Sequence, residues 1–268
     1  MSGTVVFVVY ATAALDVRHV PPDVDVIVVH NDDRLDRASL GQRAVQHVET
    51  GANVGFGAAV NRALPHVSTS RIVLCNPDVV LGPAHWDALL AAGAEEVVTV
   101  PLVDGSGAPT IVCSPYPTPA SHLASGFRLG RWLPRGGRAR TAVDARVASS
   151  AATGAWPLTD RWVSGAVLSV DAERLRAVGG FDEGYFLYYE DVDLSRRLAT
   201  RFPTMRARVA DVTPGVHAVG ASDAAGGAQR GDAERARLDS AIRWAEAEPG
   251  AAWALTARLL AAHRRALR

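Results

Sequence analysis

Short apolar runs, many of them β-branched, recur through the first half of the chain and alternate with helical patterns. They predict strands over residues 5–10, 24–30, 44–48, 71–75 and 96–101, and helices over residues 57–65 and 83–92. Strands that are apolar on both faces and separated by helices are typical of a parallel sheet with helices on each side. The link between the first two strands is short and contains Pro21-Pro22, so we expect only a short helix there, if any.

The pattern changes in the second half. Residues 114–160 are rich in Pro, Gly, Ser and Arg and predict an irregular segment, within which residues 128–146 carry six arginines and one acid. Regular patterns then predict strands over residues 162–170 and 206–211, and helices over residues 172–178 and up to about residue 200. Residues 229–268 predict one or two helices interrupted at Pro249-Gly250.

Length and composition fit one α/β domain over residues 1–225, with halves at 1–110 and 111–225, and a C-terminal helical extension over residues 226–268. The formal net charge of zero argues against a general nucleic-acid-binding protein. Two cysteines are too few for a disulfide framework. The N-terminus lacks the features of a signal peptide, and no run reaches the ~20 apolar residues of a transmembrane segment. We therefore expect a cytoplasmic protein.

Residues 179–197, here called the acidic motif, read GGFDEGYFLYYEDVDLSRR and place five carboxylates beside aromatic side chains. Burial raises the pKa of a carboxyl group, so acids beside apolar surface are typical of a site that holds a tuned base. The alternative is a strand followed by a helix N-terminus, where acids interact favourably with the helix dipole.

Three other segments are candidates for the same site. Residues 53–61 (NVGFGAAVN) place glycines at a helix start, where free N–H groups suit a phosphate or a sugar, although structural turns of this kind are common. Asn76-Pro77-Asp78 follows a buried strand, at the edge where open α/β sheets bind ligands, and Asp78 suits a divalent cation or a simple turn. His217 alone favours a structural role over a ligand role.

Taken together and in this order, the four segments resemble the family 2 glycosyltransferases, which are inverting enzymes with the GT-A fold, and in particular the bacterial rhamnosyltransferase-like branch. The resemblance covers residues 4 to about 220. It implies a nucleotide-diphospho-sugar transferase fold with a mostly parallel central sheet flanked by helices, followed by the C-terminal helical tail. It also implies a divalent metal, Mg²⁺ or Mn²⁺, on the donor diphosphate.

The resemblance assigns roles to individual residues. Asp191 matches the catalytic base and Glu190 is the next candidate, whereas Asp193 and Arg197 brace the following helix. Asp78 and His217 match metal ligands. The implied donor-binding residues are Tyr10, His30, Asn31, Asn53, Gly55, Phe56, Gly57, Asn61, Asn76 and Asp78, and the implied acceptor-binding residues are Gly165, Ala166 and Tyr188.

Two features depart from the family pattern. His30 stands where an acid that binds the nucleotide base is expected, and the link between the first two strands is short. Both point to a changed donor or a loosened donor site, and they leave a non-catalytic sugar-nucleotide-binding protein as an alternative. A sugar nucleotidyltransferase is disfavoured because residues 10–14 (YATAA) lack the glycine-rich basic loop of that class.

The leading hypothesis is a metal-dependent inverting glycosyltransferase. Its donor would be a dTDP-, UDP- or GDP-linked sugar such as dTDP-rhamnose, and its acceptor a hydroxyl of a cell-envelope glycan, a lipid-linked sugar or a small metabolite. Residues 128–146 either contact phosphate or form a solvated loop. The basic C-terminal tail either contacts an anionic membrane face peripherally or packs on the body of the protein or on a partner in a homodimer.

Overall fold

The strands and helices follow the predicted alternation through the first half of the chain. The computed structural model describes residues 3–127, 152–218 and 227–266, without the side chains of residues 227–230. The strands are β1 (Gly3–Val9), β2 (Asp25–His30), β3 (Gln46–Glu49), β4 (Arg71–Cys75), β5 (Val79–Val80), β6 (Glu96–Thr99), β7 (Leu102–Val103), β8 (Cys113–Pro115), β9 (Gly154–Pro157), β10 (Arg161–Val163), β11 (Val167–Asp171), β12 (Arg206–Val209) and β13 (Gly215–His217). The helices are α1 (Phe56–Ala63), α2 (Pro83–Leu90), α3 (Pro119–Gly126), α4 (Ala172–Ala177), α5 (Glu190–Arg201), α6 (Gly227–Ala247) and α7 (Ala251–Ala266), with 3-10 turns at Arg37–Leu40 and Leu64–His66.

Eight strands form the central sheet, in the order β3-β2-β1-β4-β11-β6-β12-β9. β1 pairs in parallel with β2 and β4, β2 with β3, and β6 with β12. β11 lies antiparallel between β4 and β6, and β9 is an antiparallel edge strand. Every residue of β1 and β4 is buried, as expected for strands covered on both faces. The predicted α/β fold with a mostly parallel sheet is confirmed.

The second half of the chain corrects two predictions. The single strand predicted over residues 162–170 is divided into β10, which pairs with β8, and β11 in the central sheet. Residues 164–166 leave the strand between them because their backbone bonds elsewhere, to Asn76 and Asp191. The segment predicted to be irregular contains β8, α3 and β9, and α3 begins at a Thr118 side chain that accepts from the Ser121 N–H.

A small second sheet, β5-β13-β7, lies at the carboxyl end of β4. β13 pairs antiparallel with β5, and this register sets His217 opposite Val79, the residue after Asp78. Between β1 and β2 the chain forms turns without a helix, in agreement with the short link.

The C-terminal helices pack on the body of the protein. Trp244 of α6 lies in a cluster with Tyr185 and Val192, and Leu260 of α7 contacts Gly126 at the end of α3. No helix in the described part of the chain has the length and apolar composition that crossing a membrane requires.

Asn61 joins α1 to the acidic motif. Its Oδ1 accepts from the Phe181 N–H at 2.8 Å, and its Nδ2 donates to the Phe181 carbonyl at 2.9 Å and to Glu183 Oε1 at 3.1 Å. A Cβ on Gly180, where φ is +71°, would lie 2.3 Å from Asn61 Oδ1, so the approach requires glycine. One amide thus fixes the start of the motif.

We expect Asn61→Ala to lower the free energy of unfolding by about 2 kcal/mol, because it removes three hydrogen bonds and leaves the Phe181 backbone unpaired. Urea denaturation measures the change. The matched control is Arg62→Ala at the exposed neighbouring position, which should change stability by less than about 0.5 kcal/mol. Equal effects of the two variants would contradict the role of the Asn61 amide.

Candidate active site

The carboxyl end of β4 carries two polar side chains at the sheet edge. The Asn76 N–H donates to the Ala166 carbonyl at 2.9 Å, which ties the strand end to residues 164–166. Asp78 Oδ1 lies 3.3 Å from His217 Nε2, and the Ala218 N–H donates to the Asp78 carbonyl at 2.9 Å. The residues predicted as metal ligands are therefore adjacent, although 139 positions separate them in the sequence.

The Asp78–His217 pair fits a divalent cation that is shared with a ligand. Each side chain is 15% exposed, so both are held in place and open to a bound molecule. The described residues contain no group of three or more His, Cys, Asp or Glu side chains placed to hold a metal. A cation here would have two protein ligands, which leaves coordination positions for phosphate oxygens.

Asp191 lies in the first turn of α5 and faces residues 164–166. Its Oδ2 accepts from the Gly165 N–H at 3.0 Å and its Oδ1 from the Val192 N–H at 2.8 Å. Burial raises the pKa of Asp191 to about 6, against the opposing effect of these hydrogen bonds. The carboxylate is oriented by backbone groups and has a pKa suited to a general base.

Glu190 is the more buried of the two acids, with 6% of its surface exposed. Within the described residues its Oε2 has no hydrogen-bond partner. Burial, and secondarily the charge of Asp191, raise the pKa of Glu190 well above its usual value. The pair therefore consists of one carboxylate that ionises near neutral pH and one that stays protonated to higher pH.

Two consecutive tyrosines with left-handed backbone turn the chain into α5. Tyr188 and Tyr189 have φ values of +66° and +68°, which cost strain in residues with a Cβ. His122 Nε2 donates to the Ala241 carbonyl at 2.8 Å, so its Nδ1 accepts from the Tyr189 hydroxyl at 3.1 Å. The sequence did not predict that His122 contacts the acidic motif. The only indication in the sequence is the position of His122 on the apolar face of α3, which favours burial.

Arg197 anchors the body of α5, as the sequence predicted. Its Nε donates to Asp193 Oδ2 at 2.6 Å, and its Nη1 donates to the carbonyls of Val178 and Gly180 at 2.7 and 2.8 Å. These bonds tie the helix to the start of the acidic motif and leave Asp191 on a fixed element.

The glycine-rich segment, which was predicted to contact the donor, packs closely against the acidic motif. The Phe56 N–H at the start of α1 donates to the Phe186 carbonyl, and a Cβ on Gly55 would lie 2.3 Å from that oxygen. A Cβ on Gly57 would lie 2.8 Å from the Phe181 side chain. The predicted donor-binding residues of this segment, Gly55, Phe56, Gly57 and Asn61, thus all lie against the acidic motif. Their contact with a donor stays a prediction.

Asn31 and Asn53, two further residues predicted to bind the donor, are hydrogen-bonded to each other. Asn31 Nδ2 donates to Asn53 Oδ1 at 2.8 Å, and Asn31 Oδ1 accepts from the Val54 N–H at 2.9 Å. His30 is buried at the end of β2, where its Nε2 shares a 2.8 Å hydrogen bond with His47 Nδ1. Burial lowers the pKa of His30, which keeps the ring neutral.

Asp32 is a residue of this edge that sequence reasoning missed. Its Oδ2 accepts from the Ala11 N–H at 2.6 Å, beside Tyr10 at the end of β1. The sequence did contain a signal for an acid at this position, because two aspartates follow His30 and Asn31 directly.

Two other predicted contact residues lie on the surface: Tyr10 is 37% exposed and Tyr188 is 45% exposed. Residues 128–146, which were predicted to contact phosphate or to form a solvated loop, lie outside the described part of the chain.

The helical extension reaches the acidic motif directly. Arg243 Nη2 donates to Asp182 Oδ2 at 2.8 Å, and the Ser240 hydroxyl donates to the Leu187 carbonyl at 2.9 Å. A Cβ on Gly184 would lie 2.3 Å from the Arg243 guanidinium carbon. The extension therefore belongs to the construction of the site.

Comparison with known proteins identifies relatives of the chain. It is 34% identical over 173 residues to N-acetylglucosaminyl-diphospho-decaprenol L-rhamnosyltransferase from two strains of Mycobacterium tuberculosis, CDC 1551 / Oshkosh and ATCC 25618 / H37Rv. The match covers 58% of this chain and 53% of the relatives, so the chain spans about half the length of these curated relatives. No protein-family model matches it.

Among solved structures, a mannosyltransferase from Pyrobaculum calidifontis in complex with GDP-Man and Mn²⁺ superposes with a TM-score of 0.52. The match covers 98% of this chain and 75% of the mannosyltransferase at 20% identity, which shows the fold. The chain therefore has the GT-A fold, and its resemblance to the rhamnosyltransferase-like family 2 glycosyltransferases is confirmed.

Proposed function

We propose that the protein is an inverting, metal-dependent glycosyltransferase that moves a sugar, with rhamnose as the first candidate, from a nucleoside-diphosphate donor to a hydroxyl acceptor. The observation that carries the proposal is the shared segment 164–166. It bonds to Asn76, near the Asp78–His217 pair, and to Asp191 of α5. This arrangement supports a diphosphate site on one side of the segment and a base on the other.

Asp191 would remove the proton of the acceptor hydroxyl as the hydroxyl attacks the anomeric carbon of the donor. Attack on the face opposite the leaving diphosphate inverts that carbon, and one base is sufficient for such a single displacement. The hydrogen bonds from Gly165 and Val192 fix the carboxylate without protonating it. Protonated Glu190 keeps a second negative charge away from it.

Asp78 and His217 would hold Mg²⁺ or Mn²⁺ together with the donor diphosphate. A bound cation offsets the negative charge that develops on the departing nucleoside diphosphate. The mannosyltransferase neighbour contains Mn²⁺ and GDP-Man, which supports a divalent metal here. Asn76, at the same edge, would orient the donor beside the cation.

The name of the mycobacterial relatives supports an acceptor that is a sugar on a lipid diphosphate, and rhamnose as the transferred sugar. Residues 165 and 166, with exposed Tyr188, would line the acceptor side. On the donor side, Tyr10 would contact the nucleotide, whose base would meet neutral His30 in place of an acid.

A non-catalytic sugar-nucleotide-binding protein is the second candidate, and the His30–His47 bond favours it because this bond occupies a nitrogen at the base-contact position. Slow hydrolysis of the donor to free sugar and nucleoside diphosphate distinguishes the two, since a binding protein leaves the donor intact.

We expect Asp191→Asn to lower transfer by about 10²–10⁴-fold with donor affinity unchanged, because the amide keeps the shape and cannot accept the proton. Transfer of labelled rhamnose from dTDP-rhamnose to a lipid-diphosphate-linked N-acetylglucosamine measures the rate, and calorimetry measures donor binding. Glu183→Gln, an exposed acid of the same motif, is the control. Full activity of Asp191→Asn would exclude Asp191 as the base.

We expect Glu190→Gln to make stability less dependent on pH. The pKa of Glu190 is raised in the folded protein, so the folded state binds more protons than the unfolded state, and the wild type loses stability as pH rises above the usual carboxyl range. The loss is at most about 1.4 kcal/mol per pH unit. Urea denaturation from about pH 5 to about pH 8 tests this, and identical slopes for variant and wild type would contradict a protonated Glu190.

We expect Asp78→Asn to raise the Mn²⁺ concentration needed for half-maximal donor binding by about tenfold or more, because a neutral amide is a weaker ligand for a hard cation than a carboxylate. Calorimetric titration of the donor nucleotide at several Mn²⁺ concentrations, without acceptor, measures the shift. Asp87→Asn, at an exposed position of α2, is the control. Metal-independent nucleotide binding by the wild type would overturn the metal site.

A further inference from the structure

The outward face of α7 is made of only three residue types. Its exposed residues are Ala251, Ala252, Ala254, Leu255, Arg258, Leu259, Ala262, Arg265 and Ala266, here called the α7 outer face. Leu255 is 56% exposed and Leu259 is 41% exposed, one helical turn apart. The two arginines lie along one side of the leucine stripe at helical spacing. The helix contains no acidic residue.

The neighbouring helix provides the comparison. On α6 the exposed residues with described side chains are Asp232, Arg235, Asp239, Arg243, Glu246 and Ala247, a mixture of both charges that is usual for a helix in water. The two helices follow one another in sequence and pack together, yet only α7 presents leucines outward. Composition bias does not account for this difference, because both helices are rich in alanine and arginine.

The opposite face of α7 fixes the orientation of the helix. Trp253 packs edge-on against His122 with ring centroids 5.3 Å apart, and Leu260 is fully buried against Gly126. Arg264 Nε donates to Asp239 Oδ1 at 3.0 Å. Rotating the helix to bury Leu255 and Leu259 would break all three contacts, so the leucines stay outside.

The charge on the α7 outer face selects its partner. In a symmetric dimer through this face, Arg258 and Arg265 of one copy would approach the same arginines of the other, which opposes association. An anionic lipid surface matches both features, since it takes leucines between its headgroups and pairs arginines with phosphate. We propose that the α7 outer face docks the protein on an anionic membrane surface.

The docking inference deepens the proposed function, because it names the surface on which a lipid-linked acceptor would be met. α7 contacts His122 through Trp253, and His122 bonds to Tyr189, the residue before Glu190. A membrane-bound α7 would therefore hold the acidic motif at a fixed position relative to the lipid. Binding to lipid is measured without any sugar transfer, so the two proposals fail separately.

The test is co-sedimentation of the full chain with vesicles of phosphatidylcholine, with and without phosphatidylglycerol, at low and high salt. We expect binding only to vesicles that contain phosphatidylglycerol, and weaker binding at high salt. Arg258→Gln with Arg265→Gln should lower the partition coefficient by about thirtyfold. Leu255→Gln with Leu259→Gln should lower it by about tenfold or more.

Matched controls carry equal changes elsewhere on the surface. Arg201→Gln with Arg235→Gln removes two exposed arginines, and Ile111→Gln removes an apolar side chain that is 40% exposed. These variants should bind vesicles as the wild type does. The two α7 variants and the two control variants all change surface residues. Thermal unfolding without vesicles confirms that each variant is folded.

Three results would overturn the inference: absence of vesicle binding by the wild type, equal binding to neutral vesicles, or equal losses in the α7 variants and their controls. A dimer in sedimentation velocity that the Leu255 and Leu259 changes dissociate would assign the face to a second copy instead. Vesicle binding without rhamnosyl transfer would leave the docking surface in place and reject the proposed reaction.

Discussion

The hydrogen bond from the Gly165 N–H to the Asp191 carboxylate is the interaction on which the site depends. Residues 164–166 have left the sheet to make it, and the same three residues hold the end of β4 through the Ala166 carbonyl. A Cβ on Gly165 would lie 3.2 Å from the Phe56 ring and 3.8 Å from the Asp191 Cβ, so a larger residue would press on the Phe56 ring beside Asp191. The interruption of the strand thus joins the end of β4 and Asp191 to the same three residues.

Keeping Asp191 and Glu190 out of water costs stability, since burial disfavours their charged forms. The two left-handed tyrosines before them add backbone strain. The structure opposes these costs with bonds that reach the motif from three directions: Asn61 from α1, His122 from α3, and Arg243 from α6. The helical extension is therefore one of the elements that offset the cost in stability of the buried acids.

Sequence alone predicted what is local. Apolar runs located β1, β2 and β4 because these strands are buried on both faces, and the sequence predicted a helix that ends near residue 200, where α5 ends at Arg201. The proximity of Asp78 to His217 followed from the family resemblance, because no periodicity reports a contact between β5 and β13. The sequence did not predict the antiparallel position of β11 in the sheet or the hydrogen bonds from Asn61 to Phe181. Both depend on residues about a hundred positions apart.

Asp78 and Asp191, the two acids of the proposed reaction, are held in place by different parts of the structure. Asp78 follows β4, a fully buried strand with partners on both sides, so its position depends on the central core. Asp191 depends on the motif and, through Arg243 and His122, on the C-terminal helices. Local unfolding begins where buried contacts are fewest. Loosening α6 and α7 would displace Asp191, the proposed base, and the proposed acceptor side first, while the sheet edge that carries Asp78 keeps its geometry.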